Sequence, residues 1–225
     1  VFAGGRAFDQ IRQTIAIGKL NVKVVGSSSG FSDFGDGATH QCVEDMGIFR
    51  AVPNMVVVCP ADANETVEAT KALIEYVGPT YMRLNRNDYD NFTEEGQKFV
   101  IGEPSVMVEG DEVVVFACGI MVGKAMEAAK ALEGKVSVKV VNQATIKPMN
   151  EAAICELVKG AKGVVTVEEH NVMTGLGSAI AEVLCKNGCQ KQIEFVGSQD
   201  HFGCSGHNYA ELLEYQGLTV ETITK

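Results

Sequence analysis

The feature that most constrains this chain is the shape of its apolar runs. Met55–Cys59, Thr80–Leu84, Val113–Cys118, Val136–Val141, Val164–Val167 and Ile193–Val196 are short, and most are nearly continuous and rich in valine. A strand with one wet face alternates apolar and polar residues, whereas a run that is apolar throughout is buried on both faces, as strands of a parallel sheet are. Stretches with a helical rhythm lie between these runs. Arg6–Lys19 has apolar residues at 7, 8, 11, 15 and 17, and Ala63–Tyr76, Met121–Leu132, Asn150–Val158, Gly175–Leu184 and Asn208–Tyr215 follow. Val22–Val25 supplies a first strand, and Thr39 opens a helix running to about Arg50. This alternation predicts an α/β chain: two open, mostly parallel sheets with helices on both faces. Ligands of such sheets bind beyond the carboxyl ends of the strands.

Residues 85–104 break the pattern with three Asn, two Asp, three Glu and few apolar positions, and they read as a linker. The chain therefore divides into one α/β block before the linker and a second after it. It carries 19 basic and 29 acidic residues, a net charge of −10. That balance argues against nucleic acid or an anionic membrane as a partner, since both need a basic face. The longest nearly apolar run, Val113–Gly123, has eleven residues, short of the roughly 18 a membrane helix needs. The seven cysteines contain no C-x-x-C pair and read as thiols rather than a disulfide framework. The opening Val1-Phe2-Ala3-Gly4-Gly5 has no signal-peptide pattern, and the chain reads as a piece of a longer one.

The loop from Gly26 to His40 is the most informative stretch. Its hydroxyls, carboxylates and terminal His40 are groups a polyhydroxylated ligand needs. Asp36 and His40 stand four apart on it, and they could equally be a turn residue and a solvated histidine. Arg83 and Arg86 follow a buried strand at its ligand edge, and arginine suits bidentate phosphate binding. A surface ion pair to Asp88 or Asp90 is the plainer alternative. Gly35-Asp36-Gly37 and Asn64 have the spacing of a thiamin diphosphate magnesium motif, but the glycines lie ten residues past the nearest strand and Asn64 opens a helix, so no metal ligands are expected. Glu168-Glu169-His170 ends a strand and Gly175-Leu-Gly-Ser178 opens a helix, together reading as a tight turn with a satisfied histidine, and Ser205 reads as a helix cap.

These residues also carry a resemblance. Arg6-Ala-Phe-Asp-Gln-Ile-Arg12, Asp36-Gly-Ala-Thr-His-Gln41, Pro53-Asn-Met, Cys59-Pro-Ala-Asp62, Gly78-Pro-Thr, Arg83-x-x-Arg86, Glu168-Glu-His-Asn171 and Gly175-Leu-Gly-Ser178 resemble the transketolase family over nearly the whole chain. The first six-residue motif of the loop is shared with deoxyxylulose-phosphate synthase. The resemblance implies that 1–97 is the latter half of a pyrimidine-binding domain with its linker, and that 105–225 is a transketolase carboxyl-terminal domain. It implies transfer of a two-carbon ketol unit between sugar phosphates of the pentose phosphate kind, with thiamin diphosphate and Mg2+ as cofactors. It further implies a cytoplasmic location, a homodimer, and an amino-terminal subunit or segment as partner. By the resemblance Asp36 contacts a donor hydroxyl, His40 and Arg86 contact substrate phosphate, and Arg83 matches an arginine typical of the synthases. Phe2 falls near the aromatic wall of the cofactor's aminopyrimidine ring, with a local spacing that differs by one residue.

Three departures from the family pattern bear on function. The family's catalytic glutamate belongs to a segment before Phe2, so no catalytic residue is expected on this chain, and the diphosphate and magnesium motif belongs to another domain. Many bacterial members carry a histidine where this chain has Ser28. Deoxyxylulose-phosphate synthase and a non-catalytic assembly subunit stand as alternatives to transketolase.

Overall fold

The computed structural model describes residues 1–225. The chain begins with wide-turned helical segments over Phe2–Arg6 and Ile11–Ala16 on either side of α1 (Phe8–Gln10). Then follow β1 (Lys23–Gly26), α2 (Asp45–Ala51), β2 (Val56–Val58), α3 (Ala63–Glu75), β3 (Thr80–Arg83), β4 (Ser105–Val108), β5 (Val113–Ala117) and α4 (Met121–Ala131). The last part comprises β6 (Val138–Asn142), β7 (Thr145–Lys147), α5 (Glu151–Leu157), β8 (Gly163–Asn171), α6 (Leu176–Lys186), β9 (Gln192–Ser198), α7 (Tyr209–Tyr215) and α8 (Val220–Thr224). No helix is long and apolar enough to cross a membrane.

Two mostly parallel sheets result, as the apolar runs predict. The first has strand order β1-β3-β2-β7 and the second β4-β6-β5-β8-β9. Only β7 and β4 run antiparallel to their neighbours. Both are three- or four-residue strands that the sequence reading missed, because neither is long enough to show a period of two. β7 lies in the second half of the sequence yet pairs with β2 of the first sheet. The largest apolar cluster likewise joins Phe49 and Tyr81 to Phe116, Ile146, Ile154 and Leu176. The two sheets therefore share a core.

Two local readings need correction. Thr39 does not cap a helix: residues Gly37–Thr39 form one short 3-10 turn, and α2 starts only at Asp45. Cys42 is held extended by a two-way bridge to Gly30, which forbids helix there. Residues 85–104 hold no helix or strand, as a linker should, and they are pinned in place: Asp62 accepts the N–H groups of Phe92 and Thr93, both at 2.7 Å, while also capping α3 through Glu65 N–H. Finally, Cys155 and Cys189 form a disulfide with Cα atoms 5.9 Å apart. α5 packs on α6, and Cys189 lies three residues past the end of α6, so it faces α5 rather than continuing the i, i+4 pattern from Cys185. The other five cysteines are free thiols.

Candidate functional site

β1 and β3 are parallel neighbours whose registered pairs end at Gly26 and Arg83, so the loops that follow them leave the same edge of the sheet. These loops are tied together at once. Leu84 N–H donates to Gly26 O at 2.8 Å, and Ser29 N–H donates to Leu84 O at 3.0 Å. The Gly30–Cys42 bridge then closes the first loop, and Gly30 takes φ of +59° to make it. Asp33, Asp36 and His40 lie on the closed part. Asn87 Nδ2 donates to Ser32 O at 3.0 Å and joins the second loop to the first.

The ring of His40 stands edge-on to Phe2 with centroids 5.1 Å apart, and Thr39 Oγ1 lies 2.9 Å from His40 Nδ1. Arg6 covers the Phe2 ring at 4.5 Å from its centroid, while Phe2 keeps 46% of its surface exposed. Arg86 reaches Asp33 at 2.7 Å, not Asp88 or Asp90, and its side chain stays 54% exposed. Asp36 is exposed and precedes the 3-10 turn without capping it. Asn64 is at the start of α3, and its amide donates to Thr93 O at 2.8 Å. No group of three or more His, Cys, Asp or Glu is arranged to hold a metal ion.

Arg83, expected beside Arg86 as a substrate ligand, lies in the interior instead, with 3% exposure. Side chains alternate along a strand, so Arg83 shares a face with Tyr81 rather than with the residues of the loop beyond. Its Nε is 3.0 Å from Asp45 Oδ1, and Nη2 donates to Glu169 O at 2.7 Å and Cys42 O at 3.3 Å. Tyr81 donates to the same Asp45 at 2.7 Å. Burial alone would raise the Asp45 carboxyl pKa, but Arg83, His170 and Tyr81 outweigh it and hold it below the ordinary value.

The end of β8 completes this buried network. Glu168 accepts the N–H groups of Leu176 and Gly177 at 2.7 and 2.8 Å, where α6 begins and its dipole favours an anion. Burial nevertheless pushes the pKa of Glu168 and of Glu169 up to about 7. His170 is neutral: burial lowers its pKa to about 4, Nδ1 lies 2.8 Å from Asn171 O, and Nε2 accepts from Gly47 N–H at 3.4 Å. The satisfied histidine and the tight turn expected from sequence are both found: Glu168–His170 lie at the end of β8, and residues 172–175 turn the chain into α6. Three consecutive ionisable residues at the carboxyl end of an apolar run were the available signal for a buried polar hub.

The loop after β9 lies on the first loop. Gln41 Nε2 donates to Cys204 O at 2.8 Å, and Gly206 N–H donates to Phe34 O at 2.8 Å. Ser205 packs against Gly37 instead of capping α7; Asn208 is the cap, accepting Glu211 N–H at 2.9 Å.

Known proteins place this arrangement. Residues 1–91 match the family model for the transketolase pyrimidine-binding domain, and residues 102–223 match that for the transketolase C-terminal domain. The chain belongs to the transketolase family. This transketolase-family chain is 43% identical, over its whole length and 71% of the relative's, to a protein of Methanocaldococcus jannaschii provisionally named a transketolase C-terminal section. It is 38% identical to a 6-deoxy-6-sulfo-D-fructose transketolase subunit of Clostridium sp., covering 69% of that protein. It is 34% identical to the 1-deoxy-D-xylulose-5-phosphate synthase of Symbiobacterium thermophilum, of which it spans 34%. Among solved structures, a split-gene transketolase in an inactive β4 tetramer superposes with a TM-score of 0.89 at 38% identity, covering 99% of this chain and 70% of that one.

Proposed function

We propose that this chain is the carboxyl-terminal part of a transketolase that transfers a two-carbon ketol unit between sugar phosphates once an amino-terminal partner completes the site. In this reading residues 1–97 are the latter half of a pyrimidine-binding domain and 105–225 the carboxyl-terminal domain. The observation that carries it is the pair of interlocked loops at one sheet edge, which present Asp36, His40 and Arg86 on the surface where an α/β sheet binds its ligands.

Each side chain has a part suited to its chemistry. Arg86 is exposed and held only by Asp33, so an incoming phosphate can take its remaining donors in a bidentate contact. His40, fixed against Phe2 and Thr39, adds a ring nitrogen to the same phosphate. Asp36, free of any cap bond, accepts from a donor hydroxyl. Arg83 acts behind them, joining Asp45 to the backbone of β8 rather than touching substrate.

Thiamin diphosphate fits this chain at one point only. The half-exposed Phe2 ring offers an aromatic wall for the pyrimidine. The chain has no acidic cluster for magnesium, and in this reading the ion and the diphosphate belong to the amino-terminal portion. When bound, the cofactor supplies the electron sink for the donor's carbanion. The chain's own residues orient the sugar phosphates toward it and exclude water.

A homodimer of the assembled pair is part of the proposal, as is inactivity of the chain alone. The split-gene relative in its inactive β4 tetramer supports the second point. The deoxyxylulose-phosphate synthase reading is tested by the donor. The assembled enzyme should turn over a ketose phosphate with an aldose phosphate acceptor, and turnover of pyruvate with glyceraldehyde phosphate instead would replace transketolase by the synthase.

A further inference from the structure

The two loops that carry His40 and Arg86 are held by a side chain from the other half of the chain. Glu169 stands on β8 and is 3% exposed. Its Oε1 accepts the backbone N–H of Phe31 at 2.7 Å, and its Oε2 accepts the Asn85 amide at 3.3 Å. Tyr209 of α7 steadies the same amide: its hydroxyl accepts from Asn85 Nδ2 at 2.6 Å.

These partners sit at the two loop bases. Phe31 follows Gly30, whose bridge to Cys42 closes the loop bearing Asp36 and His40. Asn85 immediately precedes Arg86. The fit is close on the first side, because a Cβ on Gly30 would collide with the Glu169 carboxyl group. Two amide donors meet this carboxyl group, one on each oxygen, as an ionised acceptor takes them, and Arg83 beside it offsets part of the charge. Burying a carboxylate is unfavourable, and burial pushes this one up to about 7. A group kept at such a cost, between two loops that present ligand-binding side chains, has a geometry to maintain.

We propose that Glu169 is a positioning residue for substrate phosphate, setting the distance between His40 and Arg86 by holding both loop bases on one carboxylate. The inference rests on the reading that these loops bind phosphorylated sugars. It adds a residue of the second domain that touches neither substrate nor cofactor.

The test uses the assembled enzyme with a phosphorylated acceptor and a phosphate-free aldehyde acceptor. Glu169→Gln keeps the shape and removes the charge; it should raise KM for the phosphorylated acceptor about tenfold and leave kcat/KM for the phosphate-free one within about twofold. Tyr209→Phe keeps the packing of α7 and removes the hydroxyl that steadies Asn85; it should act in the same direction by about threefold, with no larger fall in thermal midpoint than one lost hydrogen bond gives. Glu169→Gln combined with Arg86→Ala should cost less than the product of the single effects, because both act on one phosphate contact. Equal losses for both acceptors, or an unchanged KM for the phosphorylated one, would overturn the positioning role. If Glu169→Gln fails to fold, the Tyr209→Phe result decides by the same criterion. Arg86→Ala alone separates the two claims. A selective loss there with silent Glu169 and Tyr209 variants removes the positioning role only, and no selective loss there removes the site reading and this inference together.

Discussion

Arg83 and Asp45 form an ion pair sealed inside the protein. Nε lies 3.0 Å from Oδ1 and 3.1 Å from Oδ2, and neither side chain is more than 3% exposed. The pair links β3 to the start of α2, and through Glu169 O it also links the first sheet to the second. Removing one member leaves the other charge buried without a partner. Asp45→Ala should therefore lower unfolding free energy by about 3–5 kcal/mol. Replacing both residues with apolar groups of similar volume should restore much of that loss. Urea titrations of the single and double variants check this, and a single-variant loss below about 1 kcal/mol would mean that water reaches the pair.

The other predicted arginine behaves in the opposite way. Arg86 pairs with Asp33 at the surface, where such contacts contribute little to stability. Arg86→Ala should leave the unfolding midpoint unchanged to within about 0.5 kcal/mol. In the assembled enzyme it should weaken phosphorylated substrates by about 1.5–3 kcal/mol, the scale of a charged hydrogen bond, and spare phosphate-free ones. Parallel kinetics on the two acceptor types measure this; equal losses would remove Arg86 from the phosphate site.

His170 makes stability depend on pH in a direction that can be fixed in advance. Burial lowers its pKa from 6.5 to about 4. Between those values the unfolded chain binds a proton that the folded chain does not, so stability is full above pH 6.5 and is lost as pH falls toward 4. Glu168 and Glu169, raised from 4.5 to about 7, work the other way and favour the folded state as pH falls through that window. The difference between the wild type and His170→Gln isolates the histidine. From pH 7 to pH 4 the wild type should lose about 3 kcal/mol relative to the variant. Parallel pH–stability curves would show that His170 is protonated in the native fold.

The parts of the molecule legible from sequence are those where one local pattern decides the structure. Val113–Cys118 and Val164–Val167 are apolar on both faces, and they became β5 and the first half of β8 because only a covered parallel sheet satisfies them. The position of Asp36, His40 and Arg86 at one sheet edge followed from the same logic, since loops after parallel strands share an edge. What stayed hidden depends on partners distant in sequence. Nothing near Cys42 announces that Gly30 will hold it extended, so the helix expected from a Thr39 cap starts five residues too early. Arg83 looked like a surface ligand because its partner Asp45 lies 38 residues away. Glu169 could not be assigned a role before its contacts with Phe31 and Asn85, 138 and 84 residues distant, were known.

The central claim is that this chain is the carboxyl-terminal part of a catalyst, and ketol transfer measured with and without an amino-terminal transketolase subunit tests it most directly. With thiamin diphosphate and magnesium present, the chain alone should show no transfer between sugar phosphates and no micromolar cofactor binding by calorimetry. Adding the amino-terminal partner should restore both. Transfer or tight cofactor binding by the isolated chain, or an assembled complex that remains inactive on every ketose phosphate donor, would contradict the account.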